Sequence, residues 1–134
     1  MRWYNYNNTE MMEDSRFSFE KLDVWQRSRV LVKNTYTMLN QFPKFEQYAL
    51  CDQMRRAVIS IPSNIAESSG RFSHKEKAHF LEFALGSAME LYCQYTLAFD
   101  LGYISNDYFE DTASEIKEIS RMILGLKHKY ELKT

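Results

Sequence analysis

The sequence predicts an all-α fold, an antiparallel up-down-up-down four-helix bundle, on three observations. Four Gly and two Pro in 134 residues leave too little turn punctuation for a hairpin-rich β protein, while 45% hydrophobic and 15% aromatic content excludes a disordered chain. Apolar residues recur at steps of three and four along four successive long stretches, the period of an amphipathic helix. The breaks between those stretches are short and carry residues that end or start helices. A chain of this length fits one domain and can bury a core without disulfides or metals.

The opening stretch MRWYNYNNTEMMEDS has no apolar period, which predicts a disordered extension over residues 1–15 and a bundle over residues 16–134. A first helix is expected from about Phe19 to Asn40, burying Leu22, Trp25, Val32, Tyr36 and Leu39, with Phe42-Pro43 closing it. The second starts near Tyr48, buries Leu50, Met54, Ala57, Val58, Ile61 and Ile65, and ends at Gly70. Pro62 lies inside it. Proline cannot donate to the carbonyl of Val58 and crowds it, so a kink is expected there.

The run SHKE, Ser73 to Glu76, has the form of a capping box and starts the third helix, which ends near Leu101-Gly102. This helix carries more apolar surface than one core needs. Phe80, Ala84, Leu91, Tyr95 and Ala98 form one seam, Leu81, Leu85, Tyr92 and Phe99 a second, and Phe83 and Leu97 widen the far flank. A narrow arc through Glu82, Met89, Thr96 and Asp100 is left for solvent, and the surplus points to an interface. The fourth helix opens after Ser105, with Asp107 near the positive end of its dipole. Its seam of Phe109, Ile116, Ile119, Ile123, Leu126 and Tyr130 steps as bundle helices do.

Net charge is −1, too little to mark a dedicated polyanion binder. Its distribution is uneven: residues 16–71 carry nine Lys/Arg against five Asp/Glu, and residues 72–134 carry seven against ten. A basic half and an acidic half suit a head-to-tail contact between copies. Cys51 and Cys93 are far apart in apolar surroundings, which predicts packed thiols in a reducing, cytoplasmic setting with no metal site. No run of eighteen apolar residues and no signal-peptide core is found, so no membrane association is expected.

Chemistry-bearing residues concentrate on the second helix. Gln53, Arg56, Ser60, Asn64, Glu67 and Arg71 form a polar ridge roughly 120° around from its core stripe. On the third helix Glu90 lies among Phe83, Gly86, Leu97 and Gln94, surroundings in which a carboxylate needs a cation or strong donors, and Arg56 or Arg55 is the nearest source. Three readings are open: a structural polar network of Gln53, Arg56, Ser60, Asn64, Glu67 and Glu90, a solvated face, or a catalytic or ligand site. His74 and His79 are five apart, the wrong spacing for a helical metal pair, and His128 stands alone. No phosphate loop or nucleophile–base set is present, so neither a cofactor nor an enzymatic reaction is expected.

Taken together, these residues resemble a known family. FEKLDVWQ with Phe19, Leu22, Val24 and Trp25, then Phe42-Pro43, Tyr48, Leu50, Gln53, Arg55, Arg56 and Ala57, lead into SIPSNIAE, Ser60 to Glu67, with Gly70-Arg71; Gly86, Ser87, Glu90 and Leu91 follow. From about Phe19 to Leu126 the chain resembles the four-helix-bundle proteins encoded within intervening sequences of bacterial 23S ribosomal RNA genes. Those are related to the accessory variability determinant protein of diversity-generating retroelements. The resemblance implies a homopentameric ring without enzymatic activity, RNA or DNA binding through basic surface, and, in the retroelement relative, a reverse-transcriptase partner. Two positions depart from the pattern: Ser68 stands where Gly is usual, and Leu85 where an Arg often precedes Gly-Ser. On a ring, Arg27, Arg29, Lys33 and Lys44 become a multivalent surface for phosphates if exposed. The alternatives are a solvated face, salt-bridge partners for an acidic neighbour, or a protein-binding scaffold with no nucleic-acid role.

Overall fold

The computed structural model describes residues 16–133; the extension expected over residues 1–15 lies outside the described residues. A short 3-10 turn, Ser18–Lys21, leads into four helices: α1 (Asp23–Leu39), α2 (Leu50–Ser69), α3 (His74–Asp100) and α4 (Asn106–Glu131). A second 3-10 turn, Lys44–Glu46, lies between α1 and α2, and among the described residues every regular element is helical. Short connections force neighbours in sequence to pack antiparallel, and α2, α3 and α4 form the tightest part of the bundle. The fourth side, α1 against α4, is the thinnest contact between helices.

The helix ends follow local chemistry. Ser73 Oγ accepts the backbone N–H of Glu76 at 3.0 Å, and Ser105 Oγ accepts that of Tyr108 at 3.1 Å. Each satisfies one donor that the first turn leaves orphaned. At the far end of α3, Gly102 N–H bonds Phe99 O and Tyr103 N–H bonds Ala98 O, with Gly102 at φ +80°. That paired closure needs a left-handed residue, which glycine adopts without steric cost. Pro62 does not interrupt α2, which runs to Ser69.

The core is built from Leu31 and Leu39 of α1, Met54, Val58, Ile61 and Ile65 of α2, Leu81, Leu91 and Tyr95 of α3, and Ile116, Ile119 and Ile123 of α4. Ala84, Ala88 and Ala98 are also fully buried, small side chains that let other helices approach α3 closely. The seams expected for α2 and α4 hold. The face expected for α1 holds only in part: Leu39 is buried and Leu22, Trp25 and Val32 are half-buried against the core, but Tyr36 is exposed and the fully buried side runs through Val24, Leu31, Thr35 and Met38. The reason is polar residues that carry their own partners into the core. Ser28 Oγ donates to Val24 O at 2.6 Å, and Thr35 Oγ1 shares a 2.7 Å hydrogen bond with the hydroxyl of Tyr95. Burial pushes the Tyr95 phenol far above its ordinary value, so it stays neutral.

On α3 the first seam is buried apart from half-buried Phe80, and the second is covered only in part, leaving Leu85 and Phe99 half-buried and Tyr92 exposed. The solvent-facing arc is wider than expected and includes Phe83 at 48% and Leu97 at 47% exposure. Cys51 is buried, which pushes its thiol up, whereas Cys93 is exposed on α3 instead of packed.

Candidate functional site

Part of the polar ridge converges where α2 lies against α3. Ser87 Oγ donates to Ser60 Oγ at 2.7 Å, and Asn64 Nδ2 donates to the carbonyl and the hydroxyl of Ser60 at 2.8 and 2.9 Å. These side chains floor an open groove of about 660 Å³ whose α3 wall includes Phe83, Gly86 and Glu90. The rest of the ridge forms separate local pairs. Arg56 reaches Asp52 at 3.5 Å and Glu67 reaches Arg71 at 2.7 Å, whose guanidinium also lies 4.3 Å from the Phe80 ring centre. Gln53 is exposed.

Glu90 is exposed as well, and accepts a hydrogen bond from Gln94 Nε2 at 3.4 Å. The cation-paired, buried carboxylate expected from its apolar neighbours therefore does not form within one chain, and Arg56 does not supply it. Those neighbours, Phe83 and Leu97, themselves face outward from the bundle. At Gly86 an added Cβ meets nothing within 4 Å, so no packing inside the chain requires glycine there.

Of the four basic candidates, Arg27 is already engaged. Its side chain is 12% exposed and bridges α1 to α4, with Nε 3.1 Å from Glu115 and Nη1 3.4 Å from Glu118. Arg29, Lys33 and Lys44 are exposed, and the Arg29 guanidinium lies 5.6 Å from the Trp25 ring centre. The ion pair escapes a reading of the sequence, although one signal was available: Glu115 lies three after Thr112 and four before Ile119, on the buried face of α4.

Burial pushes the Glu115 carboxyl up to about 7; Arg27 opposes that rise, and the nearby Glu118 and Asp23 charges add to it. Its ordinary value is 4.5, so between there and about 7 the folded chain holds a proton that the unfolded chain has lost. Stability is expected to fall as pH rises through that window and to level off above it. Urea titrations from pH 4 to 8 check this, and Glu115→Gln is expected to flatten the slope.

Among the described residues no group of three His, Cys, Asp or Glu side chains is placed to hold a metal ion. No described helix is long and apolar enough to cross a membrane. The model of a protein family described as "23S rRNA-intervening sequence protein" matches residues 20–125. A crystal structure of a protein of unknown function from the S23 ribosomal protein family of Bacteroides thetaiotaomicron shares the fold. Its TM-score is 0.73 at 20% identity, over 78% of this chain and 95% of that one. No curated protein matches the chain. With the family pattern spanning α1 to α4 and the bundle reproduced in that structure, the chain belongs to the 23S rRNA-intervening sequence protein family.

Proposed function

We propose that the protein works as a non-catalytic homo-oligomer, a ring of five copies in line with its family resemblance, which contacts RNA or DNA through basic side chains repeated around the ring. The observation that carries this reading is the outer face of α3. Phe83, Met89, Tyr92 and Leu97 stand about half exposed along its length, more apolar surface than a solitary bundle helix leaves wet. A second copy that covers this face gives the groove floored by Ser60, Asn64 and Ser87 a structural role. It also brings Gln53, Arg56, Glu67 and Glu90 toward a subunit boundary.

Arg29, Lys33 and Lys44 are the exposed cations of the expected set, and Arg27 is withdrawn from it by Glu115 and Glu118. One copy of net charge −1 attracts phosphates weakly. Repetition raises the effective concentration of each contact, and such binding is independent of sequence and falls steeply with salt. Filter binding of structured RNA and single-stranded DNA tests it. Retention at about 50 mM salt that is lost in a Lys33→Glu, Lys44→Glu variant supports the reading, and no retention with micromolar protein ends it. A protein-binding scaffold is the second reading, favoured by Phe45, Tyr48 and Phe72, which project almost wholly into solvent from the loops. In either case the two thiols suit a reducing cytoplasm.

A further inference from the structure

The exposed face of α3 has a register. Phe83, Gly86, Glu90, Cys93 and Leu97 follow one another at steps of three and four, the spacing of a coiled-coil seam, and all five are exposed. Large and small side chains alternate: Gly86 and Cys93 make holes between Phe83, Glu90 and Leu97. A seam of this kind on the outside of a bundle is the surface onto which another helix packs.

The sequence of α1 carries a matching seam. Trp25, Arg29, Val32 and Tyr36 step by four, three and four, and the core of the chain takes up this face only in part, through one side of Trp25 and Val32. Trp25 and Val32 are half-buried, and Arg29 and Tyr36 are exposed. Neither of the other outer faces offers as much: the exposed large hydrophobic side chains are Ile59 on α2 and Leu124 on α4. Charge selects the pairing further. Two copies of the α3 seam laid together bring Glu90 to Glu90, a like-charge contact, whereas the α1 seam brings Arg29.

We infer that the Trp25–Tyr36 seam of α1 docks on the Phe83–Leu97 seam of α3 in a second copy, with Arg29 opposite Glu90. Trp25 to Tyr36 and Gly86 to Leu97 each cover twelve residues, eleven steps and roughly 16 Å of helix. Aligned in parallel, Trp25 falls over Gly86 and Val32 over Cys93. Aligned antiparallel, Trp25 falls over Cys93 and Val32 over Gly86. In both directions the indole meets a hole and the two charges meet each other. The contact is heterologous, since α1 of one copy uses α3 of the next, and such contacts close into rings when the rotation permits. Glu90 then obtains from a neighbour the cation that its own chain does not provide, and Arg29 serves the interface, leaving Lys33 and Lys44 outside it.

This inference rests on the proposal that the protein assembles, and a charge exchange separates the two. Arg29→Glu and Glu90→Arg are made singly and together, and each is sedimented at micromolar concentration with helicity checked by circular dichroism. Both positions are on the surface, so the variants retain the fold. The expected result is an assembled wild type, at least a tenfold weaker assembly in each single variant, and recovery of the wild-type size in the double variant. An assembled wild type whose single variants sediment unchanged, or whose double variant fails to recover, overturns the α1–α3 pairing while the assembly reading stands. A monomeric wild type overturns both.

Discussion

Replacing Arg27 by alanine is expected to cost about 3–5 kcal/mol at pH 8, because removing one partner of a buried ion pair strands the other. The Glu115 side chain is 3% exposed, so water cannot take over from the guanidinium. Position matters as much as burial. Arg27 joins α1 to α4 along the thinnest contact of the bundle. The cost is expected to shrink at pH 5, since a carboxyl pushed up to about 7 takes a proton there and no stranded charge remains. Urea denaturation of Arg27→Ala at the two pH values measures the difference. Equal losses at both would show that Arg27 acts through packing of its stem and not through the ion pair.

A second large effect is expected at Tyr95, which is fully buried and ties α3 to α1 through its 2.7 Å bond to Thr35. Tyr95→Ala opens a cavity the size of an aromatic ring and should cost about 3–5 kcal/mol. Tyr95→Phe retains the ring but leaves the Thr35 hydroxyl buried without that partner, a loss of about 1–3 kcal/mol. Denaturant midpoints of the two variants separate the ring from the hydrogen bond, and Tyr95→Phe as stable as wild type would assign the whole effect to packing.

Thr35 also marks where the sequence stops being legible. The seam of α2 can be read because apolar residues fill nearly all of its buried positions, and that of α4 because Ile116, Ile119 and Ile123 mark it even though Thr112, Glu115 and Ser120 are buried beside them; Ser73 and Ser105 announce their helices because the capping chemistry is local. The face of α1 is read one strip off. Its true core side holds Ser28 and Thr35, whose hydroxyls are satisfied by Val24 O and by Tyr95, and a hydropathy pattern discards both. The strip chosen instead, Trp25, Val32 and Tyr36, is a real apolar seam that the chain itself leaves half-covered.

The candidate site divides along similar lines. The Ser60–Asn64 contact spans one helical turn and follows from sequence spacing, and Ser87 completes it from the facing helix. The partner of Glu90 does not follow. A helical wheel gives the angle of Glu90 on α3 but not the side on which α2 stands, so it does not show that Arg56 turns to Asp52 and Arg55 to Gln47. Arg27 and Glu115 were hidden for the converse reason. They are far apart in the chain, and only packing of α1 against α4 brings them together.

Gly86 offers the most direct test that the outer face of α3 receives another copy. Since an added Cβ meets nothing within 4 Å in the chain, Gly86→Leu should not disturb the bundle, and exchanging glycine for a better helix former should stabilise α3 by about 0.5–1 kcal/mol. The same side chain fills a hole in the seam and keeps a docking helix out. Sedimentation velocity of wild type and Gly86→Leu at matched micromolar concentration reads the outcome. An assembled wild type beside a folded, monomeric variant that melts no lower than a wild-type subunit is the result predicted here. Identical sedimentation of the two proteins would contradict it.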